Sequence, residues 1–110
     1  MPQQTISPIA ARPPIVVLCG SITYWDQLTE AALYETAAGR IVLAPGCNMN
    51  QPHPLWSDPA RADRIKAMLD TLYLRKIDLA DDVLVVNPGG YIGDSTRREI
   101  DYAHSLRVVP

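Results

Sequence analysis

The stretch NPGGYIGDSTRREIDYA at 87–103 contains the side chains of this chain that are best suited to do chemistry. It follows the apolar run DVLVV, and its three glycines permit backbone conformations that other residues rarely adopt. Glu99 lies near the start of the helix that this stretch predicts. A carboxylate held in that position can attack the anomeric carbon of a sugar and form a covalent intermediate.

Glu99 also has a purely structural interpretation. If Thr96 is the N-cap, Thr96 and Glu99 form a capping box, in which the glutamate bonds back to the N–H group of the cap. Asp94 and Ser95 are alternative caps. If Glu99 faces a ligand instead, the helix dipole is expected to help keep its carboxylate ionised.

A second candidate loop, CGSIT at 19–23, follows the first apolar run of the chain. Gly20 allows the backbone to approach a ligand closely. Ser21, Thr23 and the free N–H groups of the next helix can hold a phosphate or another anion. In the alternative interpretation the loop is a tight turn, with Ser21 or Thr23 as the N-cap.

Two further side chains could act on a nucleobase. Asp78, in LRKIDLADD near the end of the second predicted helix, is a candidate general acid or base for a departing base. The alternative for Asp78 is an ordinary surface position on the helix. The ring of Tyr91 could stack on the base.

The elements that must position these residues alternate along the chain. Four apolar runs rich in β-branched residues predict strands, at 15–19, 41–44, 82–86 and 107–109. Three runs between them predict helices, at 24–38, 58–80 and about 96–106. This alternation predicts an α/β protein with a small doubly wound parallel sheet in the order 2-1-3-4. In such a sheet ligands bind beyond the strand ends at the switch point, between the first and third strands, where both candidate loops lie.

Composition limits the classes of function. The 110 residues predict one domain at 15–110 behind a flexible, proline-rich arm at 1–14. The net charge of −2 argues against a nucleic-acid polymer as partner. No apolar run is long enough to span a membrane, and no secretory signal is visible at the N-terminus. We therefore expect a cytoplasmic protein that acts on a small molecule.

The two cysteines, Cys19 and Cys47, each lie close to the end of an apolar run, where parallel strands would bring them near one another. In a cytoplasmic protein they are expected to remain thiols rather than form a disulfide. His53 and His104 show no ligand spacing with either cysteine, so no metal site is expected.

The segments VVLCGSI at 16–22 and DVLVVNPGGYIGDSTRREIDYA at 82–103 resemble the nucleoside 2-deoxyribosyltransferase-like superfamily. The resemblance extends over about 15–109. Within the superfamily, GYIG-x-ST-x-x-E is typical of a family of small members with no assigned function. The 2'-deoxynucleoside 5'-phosphate N-hydrolases carry a similar CGSI after their first strand.

The resemblance implies a small Rossmann-like fold and a role for particular residues. Glu99 falls on the nucleophilic glutamate, and Asp78 is the best match to an aspartate that orients the nucleobase. The implied substrate-binding residues are Gly20, Ser21, Ile22, Gly90, Tyr91, Gly93, Ser95 and Thr96. No metal or organic cofactor is implied. A homo-oligomer is expected, because superfamily members usually assemble so that a neighbour completes the pocket.

Two positions depart from the hydrolases. Val17 stands where they have a tyrosine in the first strand, and Gly93 stands where they have a serine, with Ser95 and Thr96 as alternative hydroxyl groups here. The function expected from the resemblance is hydrolysis of an N-glycosidic bond, or deoxyribosyl transfer, on a nucleoside or nucleotide. The alternatives are a nucleotide-binding or sensing module without catalysis and, less favoured, a structural assembly subunit.

Overall fold

The computed structural model describes residues 3–4 and 11–106. Its strands are β1 at Ile15–Cys19, β2 at Ile41–Leu43 and β3 at Asp82–Val85. Its α-helices are α1 at Trp25–Ala37, α2 at Pro59–Leu79 and α3 at Asp94–Leu106. Short 3₁₀ turns lie at Ile22–Tyr24, Pro54–Trp56 and Pro88–Gly90.

The three strands form a parallel sheet with β1 in the centre, in the order β2-β1-β3. Val17 of β1 pairs with Leu43 on one side and with Val83 on the other. These three strands therefore lie in the relative order that the sequence predicts. The fourth predicted strand, at 107–109, lies outside the described residues.

The core covers both faces of β1. Val17 and Cys19 point toward α2 and α3, where they pack in one cluster with Tyr73. Val16 and Leu18 point to the opposite face, where they pack against Leu28 of α1. Because both faces are covered by helices, the strand reads as a continuous apolar run rather than an alternating one.

The helix boundaries follow local capping signals. The carboxylate of Asp58 accepts a hydrogen bond from Arg61 N at 3.0 Å, and Pro59 occupies the first position of α2, as the sequence predicts. At the end of α1, Gly39 adopts a φ of +87°, which a glycine does at little cost. No helix within 11–106 is both long and apolar enough to cross a membrane.

α3 does not begin with the capping box that Thr96 and Glu99 would form if Thr96 were the cap. The helix begins at Asp94, two residues earlier than predicted, and Arg97 N donates to the carbonyl of Gly93 at 2.9 Å. Gly93 therefore takes the N-cap position. Thr96 lies inside the helix with only 3% of its surface exposed. Since Thr96 is not the cap, Glu99 is free to serve another purpose.

Residues 11–14 of the predicted arm lead into β1, and an ion pair holds them there. Arg12 donates to both carboxylate oxygens of Asp81, at 2.7 and 3.2 Å, and Ile15 N donates to the same carboxylate at 2.8 Å. These hydrogen bonds lower the pKa of Asp81 to about 2. They join the start of β1 to the start of β3, at the end of the sheet where both strands begin.

Candidate functional site

A cleft of about 370 Å³ opens where the three strands end. Its floor and walls come from the segment that follows each strand, at 20–23, 45–50 and 91–96, and from one side of α2. This is the edge of a parallel sheet at which ligands are expected to bind.

The cleft brings together most of the residues that the sequence singled out. The predicted site residues that line it are Gly20, Ser21, Ile22, Tyr91, Gly93, Ser95, Thr96 and Glu99. Gly90 and Asp78 are not among the lining residues. Gly90 ends the 3₁₀ turn that precedes the cleft-lining segment, with a φ of +79° that suits a glycine.

Glu99 is the half-buried carboxylate on the α3 side of the cleft. Burial raises its pKa to about 7, and the nearby charge of Asp70 acts in the same direction. A hydrogen bond with Cys19 and the charges of Arg98 and Lys66 oppose this rise. With a pKa of about 7, the Glu99 carboxyl is about half ionised at neutral pH. Glu99 is the sixth residue of α3, beyond the first turn in which the dipole acts most strongly.

The charge of Glu99 acts on two buried side chains, Cys19 of β1 and Tyr73 of α2. Cys19 is fully buried, and its burial together with the charge of Glu99 raises the pKa of its thiol to about 12. The hydroxyl of Tyr73, on α2, donates to the carbonyl of Leu18 in β1. Burial, followed by the charges of Cys19 and Glu99, raises the pKa of Tyr73 above its usual value.

The loop after β1 approaches β3 closely. A Cβ on Gly20 would lie 2.6 Å from the carbonyl oxygen of Val86, so this position has room for glycine alone. The Ser21 hydroxyl accepts from Thr23 N at 3.2 Å and caps the 3₁₀ turn that leads into α1. Ser21 is thus an N-cap, as the tight-turn interpretation predicts. It also lines the cleft, where the anion-binding interpretation requires it to be.

The structure separates Asp78 from the cleft. Its carboxylate accepts from the Tyr102 hydroxyl at 2.5 Å and pairs with Arg75 at 3.0 Å. These contacts tie α2 to α3 near the C-terminal end of α2. The carboxylate that α2 does place in the cleft is Asp70, which pairs with Lys66 at 3.3 Å. Asp70 and Asp78 are eight residues apart, about 12 Å along the helix axis.

A sequence signal for Asp70 exists in the spacing of α2. The cleft side of the helix carries residues three and four positions apart, a pattern that places side chains on one face. They are Lys66, Leu69, Asp70, Leu72, Tyr73 and Lys76. The polar members of this set interrupt an otherwise apolar helical stripe. Charged residues within an apolar stripe indicate that this face of α2 lines a cleft and is not fully buried in the core.

The remaining wall of the cleft comes from the segment after β2. Lys76 donates to the carbonyl of Ala44 at 2.9 Å, which joins α2 to the end of β2. Cys47 is half-buried in this wall, and both cysteines are free thiols, as expected. Within the described ranges no group of three or more His, Cys, Asp or Glu side chains could hold a metal ion.

Tyr91 lies where the cleft meets solvent, with about half of its surface exposed. Its ring lies 5.9 Å from that of Tyr24, tilted by 59°. The site thus combines three carboxylates (Asp70, Asp94 and Glu99), two tyrosine rings and a close backbone turn around one small cavity. Comparison with protein-family models, with curated proteins and with solved structures found no match.

Proposed function

We propose that this chain cleaves the N-glycosidic bond of a nucleoside or nucleotide, by hydrolysis or by transfer of the deoxyribosyl group, with Glu99 as the nucleophile. The observation that carries the proposal is that Glu99 shares one cleft with a second carboxylate, Asp70, and with the turn at 20–22. The cleft volume of about 370 Å³ lies in the range usual for small-molecule pockets. The motifs that resemble the deoxyribosyltransferase-like superfamily provide nine of the twenty-one described residues that line it.

The proposed reaction begins with attack of a Glu99 carboxylate oxygen on the anomeric carbon. The bond from that carbon to the base nitrogen breaks, and its electron pair leaves with the base, which takes a proton from water. Water or a second base then attacks the same carbon, gives a proton to the Asp70 carboxylate and releases the Glu99 carboxylate. Charge on the oxocarbenium-like transition state is balanced by the ionised glutamate. In this proposal Asp70 has the role that the sequence suggested for Asp78.

The other lining residues provide contacts for the rest of the substrate. The half-exposed ring of Tyr91 offers a surface for stacking of the base. The turn at 20–22 lines the cleft just before α1, and in this proposal its backbone binds the sugar or a 5'-phosphate. Lys66 and Lys76 also line the cleft, although Lys66 is paired with Asp70 and Lys76 with a carbonyl.

The test of the proposal is the release of free base from a panel of deoxyribonucleosides and their 5'-phosphates. Chromatography monitors the release in reactions with and without a second base as acceptor. Glu99→Gln keeps the shape of the side chain and removes the nucleophile, so we expect it to abolish release. Asp101→Asn is the matched control, because Asp101 is an exposed carboxylate two residues further along the same helix. If wild type and Glu99→Gln release base equally, or neither releases any, the proposal fails.

A second candidate function is a module that binds a nucleoside or nucleotide without turning it over. The observation that favours it is the pKa of Glu99 at about 7. A carboxyl that is half protonated at neutral pH is a weaker nucleophile but can donate a hydrogen bond to a ligand. Thermal stabilisation by a nucleoside, with no base released over hours, would identify this function.

We also propose that the chain forms a homo-oligomer beside the cleft. Leu72 of α2 lines the cleft yet has 45% of its surface exposed, and Met68, one helical turn earlier, has 59% exposed. A second copy that covered these side chains would remove apolar surface from water. Light scattering on Met68→Glu and wild type tests this, and equal masses for the two at the monomer value would contradict it.

A further inference from the structure

Thr96, in the first turn of α3, is a polar side chain in a buried position. It is 3% exposed, and the helix begins only two residues before it, at Asp94. Thr96 also lines the cleft, and so does Glu99, which follows about one helical turn later. A hydroxyl group that is removed from water in this way lowers stability unless a hydrogen bond replaces the lost water.

The hydrogen bond that a helical threonine commonly makes is missing at Thr96. A threonine hydroxyl inside a helix can donate to the carbonyl group four residues earlier. Thr29 donates to Trp25 O in this way at 2.9 Å, and Thr71 donates to Ala67 O at 3.5 Å. Among the residues that the structure describes, the hydroxyl of Thr96 has no hydrogen-bond partner.

The Thr96 hydroxyl therefore opens onto the cleft. In the described part of the chain no buried side-chain nitrogen or oxygen lacks a partner, so an oxygen without one must still be accessible to solvent. The cavity to which Thr96 has access is the cleft that it lines. A ligand that bonds to this hydroxyl would satisfy a polar group that the fold leaves unsatisfied.

The position of Thr96 relative to Glu99 indicates which part of a ligand it would meet. Residues three positions apart on a helix are neighbours, with Cβ atoms about 5–6 Å from one another. In the proposed function Glu99 attacks the anomeric carbon. A hydroxyl one helical turn from that carboxylate would lie beside the sugar ring that contains this carbon.

The charges around Thr96 favour a sugar hydroxyl over a phosphate. The described lining of the cleft contains more carboxylates than amines, namely Asp70, Asp94 and Glu99 against Lys66 and Lys76. Both lysines are already engaged, one by a carboxylate and the other by a backbone carbonyl. A phosphate oxygen repels a carboxylate, whereas a sugar hydroxyl can accept a hydrogen bond from Thr96 and donate one to a carboxylate.

We propose that Thr96 is a specificity-determining residue, whose hydroxyl binds a hydroxyl group on the sugar of an unphosphorylated nucleoside. The inference rests on the proposed function for the class of ligand, and it adds the side chain that recognises the sugar. A site that bonds to a substrate hydroxyl discriminates against analogues that lack this group, because its own polar group is then left unpaired. The N–H groups at the start of α3 would suit a phosphate, so the 5'-phosphates are included in the test as the competing ligands.

The test combines the variant Thr96→Val with substrate analogues. Valine keeps the shape of threonine and removes the hydroxyl. The probes are the deoxynucleosides of the four common bases, their 3'-deoxy and 5'-deoxy analogues, the ribonucleosides and the 5'-phosphates. Calorimetry gives the dissociation constants. We expect Thr96→Val to weaken binding of a deoxynucleoside or ribonucleoside about tenfold, the scale of one uncharged hydrogen bond.

The hydroxyl that Thr96 binds is identified by losses that do not add. The analogue that lacks this hydroxyl should bind wild type about tenfold more weakly than its parent and lose nothing further in Thr96→Val. If the 2'-hydroxyl is the partner, a ribonucleoside should bind wild type about tenfold more tightly than the deoxynucleoside, and Thr96→Val should remove that difference. Thr96→Ser restores a hydroxyl and should return the affinity toward wild type.

Two controls separate recognition from damage to the fold. Thr29→Val removes a hydroxyl that already bonds within its own helix and is not among the cleft-lining residues, so we expect unchanged affinity. In the ligand-free protein Thr96→Val should unfold at a urea midpoint equal to or above that of wild type, because no hydrogen bond is lost. A lower midpoint would show that the hydroxyl has a partner within the protein and would overturn the inference.

The remaining outcomes distinguish this inference from the proposed function. Losses that simply add for every analogue, or a 5'-phosphate that binds more tightly than its nucleoside, overturn the inference. Nucleoside binding that depends on Thr96 without release of base would reject the proposed function and support the inference. Base release with unchanged affinity in Thr96→Val would do the reverse, and binding of none of the probes would overturn both.

Discussion

Gly20→Ala is the substitution that most directly tests how the floor of the cleft is built. A Cβ at Gly20 would lie 2.6 Å from the carbonyl oxygen of Val86 and 3.3 Å from Leu28 Cδ2 and Val86 Cβ. The φ of Gly20 is not positive, so the cost comes from the contact and not from the backbone conformation.

The magnitude follows from what would have to move. Val86 N donates to the carbonyl of Cys19 at 2.8 Å, so the main chain at Val86 cannot withdraw without loosening the ends of β1 and β3. Overpacking of a well-packed region costs about 1–3 kcal/mol. Because the nearest atom belongs to the main chain, we expect a loss in the upper part of this range, about 2–3 kcal/mol of unfolding free energy.

Two other glycines provide controls. Gly39 has a φ of +87° and nothing within 4 Å of an added Cβ, so Gly39→Ala costs backbone strain alone, roughly 1–2 kcal/mol. Gly46 has neither a positive φ nor a close neighbour, so Gly46→Ala should be neutral or stabilising by about 0.4–1 kcal/mol.

Urea unfolding followed by circular dichroism measures all three variants on one scale. The expected order of stability is Gly46→Ala, then Gly39→Ala, then Gly20→Ala, with similar m-values. A Gly20→Ala variant with the midpoint of wild type would refute the close approach of β1 and β3. Equal losses of unfolding free energy in Gly20→Ala and Gly46→Ala would show that the close contact with Val86 is not the cause of the loss.

Three further predictions follow from the site. Asp70→Asn should slow steady-state base release by about a hundredfold, the usual scale for a general base, whereas Asp78→Asn should leave steady-state rates near wild type; the reverse order would return the role to Asp78. Because the pKa of Glu99 is raised from 4.5 to about 7, the unfolded chain loses this proton first. Stability should therefore fall as pH rises from about 4.5 to about 7, and Glu99→Gln, measured by thermal unfolding, should remove that decline. Native mass spectrometry after iodoacetamide treatment should find Cys47 alkylated, more slowly with a bound nucleoside, and Cys19 untouched until the protein unfolds. Labelling of Cys19 first would contradict the burial described for it.

The sheet was predictable because its signals are local. The continuous apolar run of β1 indicates a strand covered on both faces, and the structure places it in the centre of the sheet. Asp58 and Pro59 mark the start of α2 in the sequence, and the helix begins there. The two loops at the switch point could be placed together because the ends of neighbouring parallel strands meet at one edge.

The details of the site depend on contacts that no local pattern contains. The residue types of Asp94, Ser95 and Thr96 all suit an N-cap, yet none of them takes that position. The carbonyl of Gly93 accepts the hydrogen bond from Arg97 N, and Thr96 is buried inside the helix. Asp78 is close in sequence to β3, yet its side chain is held by Tyr102 from another helix. Asp70, whose charge raises the pKa of Glu99, lies on a different helix, twenty-nine positions earlier in the chain.

The central position of β1 determines which part of the cleft can adapt to a ligand. β1 pairs with β2 over residues 15–17 and with β3 over residues 16–19, so its amides should be among the slowest in the molecule to exchange with deuterium. Gly20 follows directly from this rigid strand, whereas the segment at 45–50 has no strand partner to restrain it. The part of the cleft next to β1 is therefore already ordered before a ligand binds. Most of the conformational entropy lost on binding would come from the segment at 45–50.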